Sequence, residues 1–331
     1  MNEDIQVSLK LKDVSGKKVT VDFTGGDVTS DAGVLALKEV AKKIGIIEHL
    51  AEAIGDDRHQ SYVQHHIGEL LNQRIFQIIC GYEDTNDSDY LRADPGFKVS
   101  CDRLPSEAHL ASQPTMSRFE NSICSKDLYK IEEVFVDRFI DSYEKPPKGI
   151  ILDIDDTDDI THGAQQLQLF NAYHNDYCFM PLFIFEGRSG KLITSILRPG
   201  RRPCGREIRA IIKRIIKRIR AAWPKVGIII RGDCHFASCE LYLWCESHNV
   251  HYLVGLSKNA VFKVYAESAL KTAHQRYSDS GKKVRVFKEV GYQARSWHKP
   301  RRVIIMAEVS DMGENLRFVV TSLESSQPSF L

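Results

Sequence analysis

The sequence predicts an α/β fold, in which a mixed sheet with flanking helices and a β-rich insertion follows a mainly helical N-terminal domain. Two patterns lead to this prediction. Between about residues 30 and 81, and again between about 115 and 143, apolar residues recur at three- and four-residue steps, which is typical of amphipathic helices. After residue 149, short apolar runs alternate with further helical stretches, which indicates strands joined by helices.

The stretch EKPPKG, residues 144–149, separates the two patterns, because proline and glycine interrupt regular structure. We therefore expect a helical domain over residues 1–147 and a sheet-containing domain over residues 148–331. A short strand, KKVTVDF, precedes the first helices, and a loop rich in aspartate, glycine and proline is predicted for residues 83–114.

The second domain begins with three strands and continues with alternating helices and strands. In order, the patterns predict strands in GIILDIDDT, YCFMPLFIFEG and KLITSILRPG, a helix over 204–222, a strand in VGIIIRGD, a helix over 237–248, a strand in VHYLVGLS, a helix over 259–276, and β-like runs at 283–290, 302–309 and 316–322. A three-strand meander followed by such units is the order of the ribonuclease H-like fold. The last three runs form the β-rich insertion.

Composition limits the class of protein. The chain has 331 residues, of which 43% are hydrophobic and 27% charged, as expected for a globular protein of two domains. A membrane span needs about 18 consecutive apolar residues, and no such run is present. The N-terminus lacks the apolar segment of a signal peptide, so we expect a cytoplasmic protein whose eight cysteines are reduced.

Charge is distributed unevenly. Residues 1–150 carry 18 basic and 26 acidic side chains, whereas residues 151–331 carry 27 basic and 18 acidic ones. The second part therefore has a net charge of +9, which favours a polyanionic partner. Within it, we expect Arg198, Arg201, Arg202 and Arg206, in and after the loop before the predicted helix over 204–222, to contact DNA.

Five aspartates lie within seven positions in GIILDIDDTDD, directly after the apolar residues of the first strand. Asp153 and Asp155 point to the same face of that strand, about 6–7 Å apart. Like charges at this distance require a cation or a proton between them. In the predicted strand order the first and fourth strands are parallel neighbours, so Asp233, which ends the fourth, should meet Asp155. Carboxylates placed in this way are natural ligands of Mg²⁺.

Two chemistries fit these residues. In the first, two metal ions about 3.5–4 Å apart act on a phosphodiester, and Asp155 and Asp233 are two of the three acids that hold them. In the second, a haloacid-dehalogenase-type phosphatase uses Asp153 as the nucleophile and Asp155 as the acid. The phosphatase motif also requires a further acid shortly after Asp233, where the sequence offers only Glu240.

Several stretches together resemble a known family. They are TSDAGVLALKEV, ICGYEDTNDSDYLRADPGFK, LASQPTMSRFEN, LDIDDTDDITHGAQ, YCFMPLFIFEG, LRPG and RGDCHF, and they span roughly residues 20–323. In this order they resemble the DDE transposases of bacterial insertion sequences, specifically the family numbered thirteen-eighty. The resemblance implies a ribonuclease H-like core, cut-and-paste transposition and two Mg²⁺ (or Mn²⁺) ions, with Asp155 as the first catalytic acid and Asp233 as the second. Asp153 competes for the first assignment and is a further candidate metal ligand.

The resemblance also implies partners. We expect binding to the terminal inverted repeats of an element and to target DNA, as a homodimer associated with the nucleoid and not with membranes. The N-terminal domain would bind the element's ends or support assembly, with Arg118 reading DNA.

The family's third acid, a glutamate on a late helix in a Tyr…Arg…Glu…Lys stretch, has no counterpart in the sequence, because Glu324 lies in a turn-like stretch. We therefore expect a transposase cut short at its C-terminus and impaired or inactive in strand transfer. A third hypothesis is a non-catalytic DNA-binding remnant that inhibits a full-length transposase.

Overall fold

The computed structural model describes residues 9–14, 16–21, 26 and 28–324, and the chain divides into two units, Met1–Val134 and Phe135–Leu331. The first unit begins with an antiparallel hairpin of β1 (Leu9–Val14) and β2 (Lys17–Val21). The strand predicted in KKVTVDF is confirmed over residues 17–21, while residues 22 and 23 lie outside the described residues.

Helices follow the hairpin because apolar residues recur at helical spacing. They are α1 (Val34–Ile44), α2 (Ile46–Ala53), α3 (Ile67–Ile79), α4 (Asp87–Leu91), α5 (Pro95–Ser100), α6 (Gln113–Ser122) and α7 (Ser125–Asp141), the last of which continues into the second unit. Buried side chains of this unit form a core that includes Val34, Phe76, Leu91, Phe97 and Leu110.

The predicted loop over residues 83–114 was wrong in part, since α4 and α5 lie within it. Pro95 occupies the first helical turn, where its missing N–H costs nothing, and the Asp94 carboxylate accepts a 3.0 Å hydrogen bond from the Phe97 N–H. Residues that suggest a loop by composition therefore begin a helix here.

The second unit contains an eight-stranded mixed sheet. Its strands are β3 (Gly149–Asp156), β7 (Leu182–Glu186), β8 (Leu192–Ile196), β9 (Gly227–Gly232), β10 (His251–Leu256), β11 (Val284–Tyr292), β12 (Arg301–Ser310) and β13 (Gly313–Thr321). Their order across the sheet is β11-β12-β13-β10-β9-β3-β7-β8. The predicted α/β class with a large mixed sheet is confirmed, and the predicted β-rich runs extend the main sheet from the edge of β10.

A small sheet lies between β3 and β7 in sequence. It consists of β4 (Asp159–Ile160), β5 (Leu169–Asn171) and β6 (Asp176–Phe179). The single strand predicted in YCFMPLFIFEG was therefore wrong, because it divides before Leu182 into β6, which pairs with β4 and β5, and β7, which pairs with β3 and β8. Pro181 lies at the division, where its missing N–H removes a ladder hydrogen bond.

Three helices of the second unit match their predicted positions, namely α8 (Gly205–Ala222), α9 (Cys239–Ser247) and α10 (Ala260–Ser280). Isoleucines along one face of α8 are buried with Ile150, Leu152 and Ile154 of β3 in one hydrophobic core. Each such side chain contributes about 1.5–3 kcal/mol when it leaves water, so this core holds the carboxyl ends of β3 and β9 in place. In the described part of the chain, every helix is too short or too polar to cross a membrane.

Candidate metal centre and nucleic-acid interface

The sheet places Asp155 and Asp233 at adjacent strand ends. Strands β3 and β9 are parallel neighbours, with Asp153 opposite Arg231 and Ile154 opposite Gly232. Asp155 follows Ile154 along β3, and Asp233 follows Gly232 along β9. The predicted pairing of the first and fourth strands is confirmed, and it brings the two carboxylates to the same edge of the sheet.

The electrostatics of Asp155 reflect this arrangement. Burial raises the pKa of its carboxyl above the ordinary value, and the negative charge of Asp233 raises it further. The Asp233 carboxylate accepts a 2.8 Å hydrogen bond from the His235 N–H, because Asp233 caps a short 3₁₀ helix, Cys234–Phe236. The charge of Asp233 thus acts on the Asp155 carboxyl, and the nearby His235 lowers the pKa of that carboxyl in part.

Asp153 lies two residues before Asp155 on β3 and has a different environment. The Arg231 guanidinium donates two hydrogen bonds to its carboxylate, one from Nε at 2.5 Å and a second from Nη2. A Cβ atom on Gly187 would lie 2.8 Å from Asp153 Oδ2, so the backbone also approaches this carboxylate closely. Asp153 therefore has its counter-charge within the protein.

Asp156, the next residue on β3, has a buried side chain, and the sequence interpretation assigned it no role. Its Oδ1 lies 3.1 Å from His235 Nδ1, and its Oδ2 lies 3.7 Å from Arg198 Nη1. Because side chains alternate along a strand, Asp156 falls on the same face of β3 as the core residues Leu152 and Ile154. That alternation is the signal that would have separated Asp156 from its solvated neighbours, and the structure makes it an anchor for His235 beside the carboxylate pair.

The predicted DNA-contacting arginines fall into different environments. Arg198 is 3% exposed and donates hydrogen bonds to Glu207 Oε1, at 2.9 Å, and to the Met180 and Arg201 carbonyl oxygens. This buried position does not present its guanidinium to a ligand, so we assign Arg198 a structural role in place of the predicted DNA contact.

The other three arginines of this group are exposed at the surface. Arg201 lies 3.9 Å from Glu207. Arg202 donates hydrogen bonds to the carbonyl oxygens of Cys234, at 2.6 Å, and His235, at 3.0 Å. Arg206 is in the first turn of α8. Of the three, Arg202 therefore lies directly beside the residues that follow Asp233.

Arg118 belongs to the first unit. It is exposed on α6, where it donates a 3.1 Å hydrogen bond to Thr115 Oγ1. It lines a cleft of that unit together with Arg58, Lys126 and Lys130. The cleft also contains acidic side chains, and Asp56 is paired with Arg58 at 2.7 Å.

Carboxylate oxygens are the ligands that Mg²⁺ prefers, and the carboxylates of Asp155 and Asp233 could provide two such ligands. Within the described ranges, no group of three histidine, cysteine, aspartate or glutamate side chains could enclose an ion. An ion held by Asp155 and Asp233 would take its remaining ligands from water and from substrate oxygens, as Mg²⁺ commonly does.

A comparison with known protein families finds one whose model matches nearly the whole chain. The family described as "Transposase DDE domain group 1" matches residues 11–331. No curated protein matches the chain in sequence.

Two solved structures are weakly similar to the chain. A piggyBac transposase synaptic complex with hairpin DNA is similar at 12% identity and a TM-score of 0.41, over 89% of this chain and 62% of that one. The chain thus spans less than two thirds of that transposase. An intasome of simian T-cell lymphotropic virus is similar at 14% identity and a TM-score of 0.25, over 52% of this chain and 76% of that one.

Proposed function

Because the chain belongs to the family described as transposase DDE domain group 1, we propose that it is a DNA transposase with a ribonuclease H-like core. The observation that carries the proposal is the pair Asp155 and Asp233, which meet at adjacent strand ends. The carboxylate of the neighbouring Asp153 is neutralised by Arg231. The proposed cation therefore binds at the Asp155–Asp233 pair and not at Asp153.

In this proposal Asp155 and Asp233 hold a divalent ion, Mg²⁺ or Mn²⁺. When bound there, such an ion would polarise a phosphodiester and lower the pKa of a water molecule, so that DNA could be cut near neutral pH. The chain's own residues orient this site: the His235 N–H fixes one Asp233 oxygen, and Asp156 holds the His235 ring. The 3′-hydroxyl freed by this cut would then attack a phosphodiester of target DNA, which forms a new phosphodiester and releases the 3′-oxygen of the target strand as the leaving group.

We propose DNA as the partner, specifically the terminal inverted repeats of an insertion sequence and its target. Arg201, Arg202 and Arg206 are the proposed contacts of the second unit, and Arg202 among them is bonded to the residues that follow Asp233. Arg118 is the proposed contact of the first unit. A homodimer, a bacterial cytoplasmic setting at the nucleoid, and membership of the family numbered thirteen-eighty belong to the same proposal.

The absence of a third catalytic acid remains a prediction. Since the described residues contain no third carboxylate beside Asp155 and Asp233 that could enclose an ion, we propose that this chain by itself cuts DNA poorly or not at all. A chain that binds DNA without cutting it would inhibit an active transposase by occupying the same element ends.

The phosphatase interpretation is not favoured. Its nucleophile would be Asp153, whose carboxylate oxygens are both engaged by Arg231, and the matched family is a transposase family. The Asp153 carboxylate would have to release Arg231 before it could attack a phosphate monoester.

Metal binding tests the proposal without requiring activity. We would measure Mn²⁺ binding to the full chain by calorimetry, and compare Asp155→Asn, Asp233→Asn and the matched control Asp153→Asn. We expect Asp155→Asn and Asp233→Asn each to weaken binding by about tenfold or more, since each removes one of the two charged ligands. Asp153→Asn should leave binding unchanged. Binding that depends on Asp153, or no Mn²⁺ binding at all, would contradict the proposal.

A nicking assay then addresses catalysis. A plasmid carrying the DNA that flanks the coding sequence would be incubated with the chain in Mn²⁺. Any nicking should be lost in Asp155→Asn and Asp233→Asn and retained in Asp153→Asn. Nicking that survives both substitutions would assign the cleavage to another site.

A further inference from the structure

Helix α8 has two chemically different faces. One is buried against the sheet and consists of Ile208, Ile211, Ile212, Ile215, Ile216 and Ile219. On the opposite side Arg206, Arg209, Lys213 and Lys217 are exposed. At 3.6 residues per turn these four fall within about 80° of one another around the helix axis. We call them the basic ridge.

The charges of the basic ridge are not used inside the protein. In the described part of the chain, none of the four makes an ion pair or side-chain hydrogen bond. Other basic residues of α8 behave differently. Arg218 donates two 2.6 Å hydrogen bonds to Asp137, and Arg220 donates to the His248 and Asn249 carbonyl oxygens.

The acidic residue of α8 does not neutralise the ridge either. Glu207 accepts a 2.9 Å hydrogen bond from the buried Arg198, so its charge is compensated on the inner side. Four like charges at one-turn spacing repel one another, and a polyanion relieves that repulsion.

The ridge begins at the edge of the sheet that carries the carboxylates. A Cβ atom on Gly205 would lie 2.5 Å from Glu240 Oε2 and 2.7 Å from Ser238 Oγ, so only glycine allows the start of α8 to approach the start of α9 so closely. Just before it, Arg202 is bonded to the carbonyl oxygens of Cys234 and His235, directly after Asp233. From Arg206 to Lys217 the ridge then extends about 16 Å away from this edge.

We propose that the basic ridge binds the phosphate backbone of the duplex DNA that reaches the Asp155–Asp233 site, without reading its sequence. This inference rests on the proposed function and adds Arg209, Lys213 and Lys217 to the proposed DNA contacts. Phosphates along one DNA strand are about 3.4 Å apart along the axis, so a ridge of about 16 Å spans roughly five of them. Arginine and lysine side chains that contact phosphates position the DNA and do not specify its sequence.

A membrane surface fits the same helix poorly. An interfacial helix inserts an apolar face into lipid, and the isoleucine face of α8 is already buried in the protein core. Trp223, at the end of the helix, is 5% exposed and belongs to that core as well. The exposed side of α8 therefore has charged side chains but no large apolar side chain that could insert into lipid.

The experiment compares two triple variants of the full chain with equal changes of charge. The first is Arg209→Gln/Lys213→Gln/Lys217→Gln on the ridge. The control is Lys263→Gln/Lys271→Gln/Arg276→Gln on α10, whose three side chains are also exposed. Binding to a random-sequence duplex of about 30 base pairs would be followed by fluorescence anisotropy in EDTA, between about 50 and 200 mM KCl.

We expect the ridge variant to bind DNA less tightly and to show a shallower dependence of log K on log salt. Each lost phosphate contact reduces the slope by about 0.9, so three contacts reduce it by about 2.7. The control should keep the wild-type slope. An equal loss in both variants would show that only bulk charge matters and would overturn the proposal, as would an unchanged slope in the ridge variant.

Two further measurements separate this inference from others. Both variants should keep the wild-type melting temperature and Mn²⁺ affinity, so a failure of the Asp155–Asp233 proposal is detected independently. Binding to phosphatidylserine vesicles is measured in parallel. Selective loss of vesicle binding, with DNA binding retained, would assign the ridge to a membrane surface and overturn the proposal.

Discussion

Asp153 and Asp155 are two residues apart on one strand, yet the structure treats them in opposite ways. Asp153 lies opposite Arg231 in the β3–β9 register and receives two hydrogen bonds from it. Asp155 lies one step beyond the Ile154–Gly232 pair, next to Asp233, which directly follows β9, and the pKa of Asp155 is raised. The comparison shows that the neighbouring strand divides a row of aspartates into one that is paired within the protein and one whose carboxyl is affected by a second carboxylate.

The largest effect on stability is expected from Asp156, which is the buried neighbour of this pair. Its side chain and that of Arg198 are each 2% exposed, and their charged groups lie 3.7 Å apart. Asp156→Asn should lower the free energy of unfolding by about 3 kcal/mol, because it leaves part of a buried charge uncompensated. Chemical denaturation measures this, with Asp158→Asn, at a half-exposed position, as the control. A loss below about 0.5 kcal/mol would show that Glu207 alone satisfies Arg198.

A smaller loss is expected at Asp153. Asp153→Asn removes a bidentate but partly exposed ion pair, so it should lower the free energy of unfolding by about 1 kcal/mol. Arg231→Gln should cost a similar amount, and the double variant should cost little more than either, since both changes remove one interaction. Strictly additive losses in this cycle would contradict the difference between the two aspartates, because Asp153 would then be no more paired than Asp155.

Asp155 should respond with the opposite sign. In EDTA, Asp155→Asn is expected to raise the melting temperature at pH 7, because the amide removes the cost of burying a charge there and also the repulsion from Asp233. The folded-state pKa of Asp155 is raised above 3.8, so its ionised form is disfavoured in the folded protein at pH above both values. The gain should therefore disappear as the pH falls below about 3.8. Asp153→Asn is the matched control, and a loss of stability in both variants would refute the distinction.

The smallest effect is expected at a carboxylate that is fully compensated. Glu308 on β12 is bonded by Arg285 and Lys283, and these cations lower its pKa from 4.5 to about 2. Its contribution is therefore present above pH 4.5 and is lost as the pH falls towards 2. Glu308→Gln should thus flatten the dependence of melting temperature on pH in this range. Identical acid profiles for the variant and the wild type would show that the pair contributes nothing.

The positions of the secondary-structure elements in the second unit follow from local sequence. Isoleucines at helical spacing predicted α8, and apolar runs predicted β3, β8, β9 and β10, because burial of one face or of both faces leaves a periodic pattern. The prediction failed where composition misled it, as at α5, where Pro95 begins a helix, and at Pro181, where one apolar run serves two sheets.

The candidate site could be predicted in part. Asp155 and Asp233 were found because an apolar strand that ends in aspartate is a visible pattern, and their proposed roles remain to be tested. Arg198 and Asp156 show the limit of such patterns. Arg198 follows a strand in a basic stretch and is nevertheless buried, because Glu207 and Asp156, nine and 42 positions away, converge on it.

The spacing of neighbouring side chains sets which segments become strands and helices and which residues can carry charge at their ends. Which of those charges are paired depends on the tertiary fold. The register between β3 and β9 sets Arg231 opposite Asp153 and Asp233 beside Asp155, over a separation of 78 positions in the chain. Pairing of this kind depends on distance in space, and local sequence patterns contain no information on it.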